Sequence, residues 1–75
     1  MNLWRVKLFA YLRERHGDWV DVESAGTVAE LLVALSAAEI DVRSCRLAVN
    51  HEFAQPETSI SPGDDLALIP PVSGG

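Results

Sequence analysis

Apolar and charged residues alternate from Leu3 to Phe9, with Trp4, Val6 and Leu8 on one side and Arg5 and Lys7 on the other. That is the period of a half-buried strand. Good helix formers fill Ala10 to His16 and stop at Gly17, which predicts a short helical turn and then a second strand over Asp18 to Glu23. Thr27-Val28-Ala29-Glu30 has the form of a capping box. The Thr27 hydroxyl takes the amide at the third helical position, and Glu30 reaches back to the amide of Thr27. A helix therefore starts at Thr27. Val28, Leu31, Leu32 and Leu35 fall at i, i+3, i+4 and i+7 and make one apolar stripe that must be buried.

Leu47 to Asn50 reads as a short strand that turns at Asn50 and His51, and Pro56 to Ile60 as irregular or edge structure. In Ser61-Pro62-Gly63-Asp64, proline at the second position and glycine at the third suit a type II turn, which feeds a last strand, Asp65 to Ile69. Two strands, a capped helix and two or three short strands predict an α+β fold with a mixed sheet packed on one main helix. This is the β-grasp, or ubiquitin-like, arrangement. A ferredoxin-like layout needs a second full helix between Ala48 and Asp65, where no helical period is found. The expected organisation is one domain over residues 1–69 and an extended tail over 70–75.

A chain of 75 residues supports one small core, and 48% hydrophobic with 23% charged residues is ordinary globular usage. The single cysteine, Cys45, leaves stability to packing and fits a reducing, cytoplasmic setting. Arg5 and Lys7 interrupt the first apolar stretch, so no signal-peptide core or membrane span is expected there. A net charge of -5, with six scattered Lys and Arg, repels phosphate backbones and argues against a nucleic-acid partner. His16, His51 and Cys45 have no partners at metal-ligand spacing, and Cys45 reads as an inert structural thiol.

The chemistry points to the tail, Pro70-Pro71-Val72-Ser73-Gly74-Gly75. Two prolines favour an extended backbone directly after the last strand. Val72 to Gly75 spans roughly 13 Å when extended, at about 3.3 Å per residue. Glycines remove the side chains from the tip, so a narrow channel of a partner can close on bare backbone and bring the carboxylate of Gly75 to a buried centre. Chance places two glycines at a chain end in roughly 0.5% of cases, which favours a working end over a frayed one.

Phe9-Ala10 with Arg13-Glu14, then Ala48-Val49-Asn50, Pro62-Gly63-Asp64 and Pro70 to Gly75, occur in that order. With them the chain resembles the MoaD family, the small sulfur-carrier subunits of molybdopterin synthase. Related ThiS-family thiamin sulfur carriers share the fold and the diglycine but usually lack the double proline. The resemblance implies a sulfur carrier that binds no cofactor. A MoeB-like, E1-like enzyme would use ATP to adenylate Gly75, and a sulfur donor would convert the adenylate to a thiocarboxylate, leaving 1-thioglycine. A MoaE-like large subunit carrying the catalytic residues would then pass the sulfur to cyclic pyranopterin monophosphate. It also implies partner contacts at Ile69 and Phe53, for which a place in the peripheral core stays open as well. For Arg13, a partner contact and a local ion pair with Glu14 or another nearby acid both stay open. The same tail chemistry suits sulfur transfer to thiazole or amino-acid synthesis, or ubiquitin-like protein modification.

Overall fold

A computed structural model describes residues 1–71. Its elements are β1 (Asn2–Leu8), α1 (Ala10–His16), β2 (Trp19–Ser24), α2 (Val28–Ala37), β3 (Arg46–Val49), β4 (Glu52–Phe53) and β5 (Leu66–Ile69). The strands form one sheet in the order β2-β1-β5-β3-β4. β5 runs parallel to β1 and antiparallel to β3, so the last strand in sequence lies in the middle of the sheet. This is the β-grasp arrangement that the hydrophobic pattern predicts. Strand limits differ from the sequence expectation by a residue or so, with the alternation intact. The predicted tail segment from Val72 to Gly75 lies outside the described residues.

Alternation along the strands sorts the side chains. Trp4, Val6 and Leu8 of β1, Leu47 of β3 and Leu66 and Leu68 of β5 point into the core, where they meet Val28, Leu31 and Leu35 of α2. Leu32, the fourth member of the predicted stripe, is half-buried at the margin. Val6, Leu31, Leu35 and Leu68 have no exposed surface. Each such side chain stabilises the fold by about 1.5–3 kcal/mol relative to leaving it in water.

The segment predicted as irregular, Pro56 to Ile60, caps α2. The amides of Val28 and Ala29 donate to the carbonyls of Thr58 (3.0 Å) and Pro56 (2.9 Å), and Thr27 makes a single antiparallel bridge with Ser59. Two orphan donors of the helix start are satisfied by this loop. Thr27 Oγ1 accepts the Glu30 amide at 3.3 Å, as the capping box requires. The reciprocal arm differs from expectation, because the Glu30 carboxylate accepts the Thr27 hydroxyl at 2.7 Å instead of its amide. A short hydrogen bond to a charged acceptor is the stronger local choice.

At the other end, Glu39 sits in the left-handed region with φ 68°. Its amide donates to Ser36 O and the Ile40 amide to Leu35 O, both at 3.0 Å, and buried Ile40 closes the motif against the core. This is a Schellman ending, whose left-handed position most often carries glycine. In the Ser61–Asp64 turn, the Asp64 amide donates to Ser61 O at 3.0 Å and Gly63 has φ 95°, as a type II turn demands. Among the described residues, no helix is long and apolar enough to cross a membrane.

Replacing Glu39 with glycine is expected to stabilise the protein by about 0.5–1 kcal/mol, because the left-handed strain at C′ outweighs the added freedom of the unfolded chain. Chemical denaturation of Glu39→Gly checks this. An unchanged or lowered midpoint would show that the position carries no strain.

A candidate docking site at the base of the tail

The central placement of β5 decides what surrounds the root of the tail. Leu66 and Leu68 face the core, so Ala67 and Ile69 face outward on the open side of the sheet. Residues directly opposite each other share a face. Ala67 pairs with Lys7 of β1 and Ala48 of β3, Ala48 pairs with Phe53 of β4, and Ile69 pairs with Arg46. Alanine at both 48 and 67 leaves a hollow of about 290 Å³, walled by Phe9, Phe53 and Ile69. Phe53 is 54% exposed and Phe9 41%, so two aromatic rings stand beside an apolar depression without a covering element among the described residues. An exposed apolar patch of this kind makes a candidate interaction site.

Polar groups rim the hollow. Lys7 Nζ lies 3.5 Å from Asp65 Oδ1, and His51 Nε2 lies 3.3 Å from Asp65 Oδ2. The Arg46 guanidinium lies 3.9 Å over the Phe53 ring centroid, within cation–π range. A turn at Asn50 and His51, with φ 53° and 71°, reverses the chain between β3 and β4 and sets Phe53 opposite Ala48. Two left-handed residues in a two-residue hairpin loop match the right-handed strand twist. Asn50 also ties this turn to the start of β5. Its amide donates to Asp65 O at 2.8 Å, its Oδ1 accepts the Asp65 amide at 2.9 Å, and its Nδ2 donates to Asp64 Oδ1 at 3.1 Å. Asp64 Oδ2 in turn accepts the Ser61 amide at 2.7 Å.

Of the residues singled out by sequence, Phe53 and Ile69 come together on this hollow. Arg13 does not line it. It sits on α1 beside a smaller depression with Phe9, Lys7 and Trp19, 4.0 Å from Asp18, which is a nearby acid other than Glu14. Pro70 is buried, continuing the inward parity of Leu66 and Leu68, and Pro71 is exposed. Val72, Ser73, Gly74 and Gly75 lie outside the described residues. Sequence reasoning missed Phe9, Lys7, Ala48 and Ala67 as parts of the site. The signal for Phe9 was present, since it is an aromatic residue on the Arg5 and Lys7 side of an alternating strand. Cys45 is half-buried with Sγ 3.5 Å from Asp41 O. Burial and then the Asp41 charge push its thiol above the ordinary value, which disfavours the reactive thiolate.

Comparison with known proteins gives concordant matches. The model of the ThiS family matches residues 6–75. The molybdopterin synthase sulfur carrier subunit of Chlamydomonas reinhardtii is 34% identical over 61 residues, covering 79% of this chain and 71% of that protein. Its namesake in Arabidopsis thaliana is 37% identical over 79 residues, covering 95% and 81%. Among solved structures, the small archaeal modifier protein 1 of H. volcanii superposes with a TM-score of 0.71 at 33% identity, covering 93% of this chain and 98% of that one. A chain in the complex of subunits 1 and 2 of molybdopterin-converting factor from Helicobacter pylori 26695 has a TM-score of 0.71 at 24% identity, covering 99% and 100%, a likeness of fold.

The Asn50 clasp makes a pH prediction. Hydrogen bonds from the Ser61 amide and then the Asn50 side chain hold the Asp64 carboxyl below its ordinary value of 3.8. The stabilisation is therefore fully present above that value and is lost as the pH falls through the lower value of the folded state. Urea midpoints followed from neutrality into this acid range should drop further for the wild type than for Asp64→Asn. Identical acid slopes would show that the ionised carboxylate is not what the turn prefers.

Proposed function

The chain belongs to the ThiS family, and from that premise we propose that it is the sulfur-carrier subunit of a molybdopterin synthase, loaded at Gly75. The observation that carries this reading is the sequence run Pro70 to Gly75, which follows the central strand β5, whose Ile69 lines the hollow with Phe9 and Phe53. Both plant and algal relatives bear that subunit's name over most of the chain.

A terminal carboxylate has a reference pKa of about 3.5, so Gly75 is ionised at neutral pH and is a poor electrophile. In the proposed cycle an E1-like enzyme removes that obstacle. A carboxylate oxygen of Gly75 attacks the α-phosphorus of ATP and pyrophosphate leaves. A persulfide sulfur then displaces AMP from the acyl-adenylate to form an acyl disulfide, and a thiol attacks the outer sulfur of that bond, becoming a disulfide and leaving a thiocarboxylate, 1-thioglycine. The loaded tail enters the large subunit, whose residues catalyse sulfur transfer to cyclic pyranopterin monophosphate. Two loaded carriers supply the two sulfurs of the dithiolene. In this reading Phe9, Phe53 and Ile69 dock the large subunit, with Arg13 at the margin. The reported complex of the two molybdopterin-converting factor subunits supports a partner of that kind.

A second reading is favoured by the likeness to a small archaeal modifier protein. Here the same activated Gly75 would form an isopeptide bond with a lysine of a target. Both paths start from one acyl-adenylate, so the acceptor distinguishes them.

Intact mass after incubation with ATP, an E1-like activating enzyme and a sulfur source should show one oxygen of Gly75 replaced by sulfur. The loaded chain with a molybdopterin synthase large subunit should then convert the pterin precursor. Thiocarboxylate formation without conversion would reject the molybdopterin assignment, and conjugate ladders on denaturing gels would select the modifier reading. Deleting Gly75 should abolish loading while leaving cooperative unfolding unchanged. Phe53→Ala should weaken large-subunit binding by about tenfold or more, as expected for a central aromatic anchor.

A further inference from the structure

β2 is the one long open edge of the sheet among the described residues, since the opposite edge, β4, has two residues. The Leu8 amide donates to Asp18 O at 2.9 Å, and bonded pairs alternate along an antiparallel ladder. In the observed register, Val20, Val22 and Ser24 therefore bond to β1. The backbone donors and acceptors of Trp19, Asp21 and Glu23 point away from the sheet. An open row of this kind is a template for another strand.

Beside this edge, α2 packs over β2 and leaves a groove of about 370 Å³. Ala29, Val33 and Ala37 form its apolar wall, and Glu23 and Glu30 lie on its rim. Val33 is 70% exposed at the middle of a helix whose opposite side is core. Neither Glu23 nor Glu30 has an ion-pair partner among the described residues.

We propose that the β2 edge and this groove dock an extended segment of another protein in which apolar residues alternate with lysine or arginine. A strand added to β2 sends successive side chains to opposite faces. Those on the α2 side lie over Val33 and Ala37, where apolar groups fit. Those on the open side stand beside Glu23, where cations fit. A second copy of this chain fits poorly, because β2 pairing with itself gathers Asp21 and Glu23 from both copies on one face. The net charge of -5 further steers a basic segment towards the chain. The tail and the Phe53 hollow take no part, so this docking stands or falls independently of sulfur transfer.

The test titrates isotopically labelled full-length protein with a blocked synthetic peptide of alternating lysine and valine, and separately with its glutamate and valine counterpart. With the lysine peptide, hydrogen exchange at the amides of Trp19, Asp21 and Glu23 should slow by about tenfold or more, and the Val33 methyl signals should shift. The glutamate peptide should not bind. Val33→Asn, at an exposed site that leaves the fold intact by circular dichroism, should weaken binding by about tenfold, whereas Phe53→Ala should leave it unchanged. Equal binding of both peptides, unprotected edge amides, or shifts centred on Phe53 would overturn the proposal. Protection of the same amides by self-association at high protein concentration would overturn it in favour of a second copy.

Discussion

The insertion of β5 between β1 and β3 is the constraint from which the other features follow. A strand in the middle of a sheet has both of its backbone edges paired, and here Leu68 adds a side chain with no exposed surface. The tail therefore emerges from one of the most restrained parts of the molecule, with Pro70 still buried before Pro71 reaches the surface. A terminal segment gains accuracy of placement from a rigid root. Parallel pairing of the first and last strands also places Phe9, at the end of β1, next to the root of the tail.

The same strand divides its faces between two tasks. Leu66 and Leu68 complete the core with Val6, Leu8, Leu31 and Leu35. Ala67 and Ile69 look the other way, and Ala67 joins Ala48 to form a floor low enough for the flanking phenylalanines to stand above it. A larger side chain at either alanine would fill the hollow without touching the core. In this sense the hollow is made by small residues as much as by large ones. Its shape rests on the Asn50 clasp, which sets the β3–β4 turn against the first residues of β5 through both backbone and side chain.

Charge is unevenly distributed over the surface. The chain is acidic overall, yet Lys7 and Arg46 stand around the hollow, where Asp65 and the Phe53 ring occupy them. Arg5 is likewise held by Asp21 at 2.9 Å while lying 4.8 Å over Trp19. These exposed pairs contribute little to stability. Their effect is to fix where cations are presented, while Glu23 of β2 and Glu30 of α2 have no ion-pair partner among the described residues.

Much of this was legible in the sequence because it depends on short-range periodicity. Alternation in β1, the i, i+3, i+4 and i+7 stripe of α2, the Thr27 cap and the Pro62-Gly63 turn are each set by neighbours a few residues apart, and the structure contains all of them. The parity that turned Ile69 away from Leu66 and Leu68 was equally local, and it placed Ile69 on the open face. Family membership, too, is carried by residues in order along the chain. What tertiary structure decided was which local pieces meet. Nothing near Pro56 or Thr58 in sequence marks them as the cap of α2, and the leftover carbonyls of that loop find the helix only when the chain is folded. The hollow at the root of the tail combines residues from four strands, and strand order is fixed by pairing partners up to sixty residues apart, beyond the reach of any local pattern.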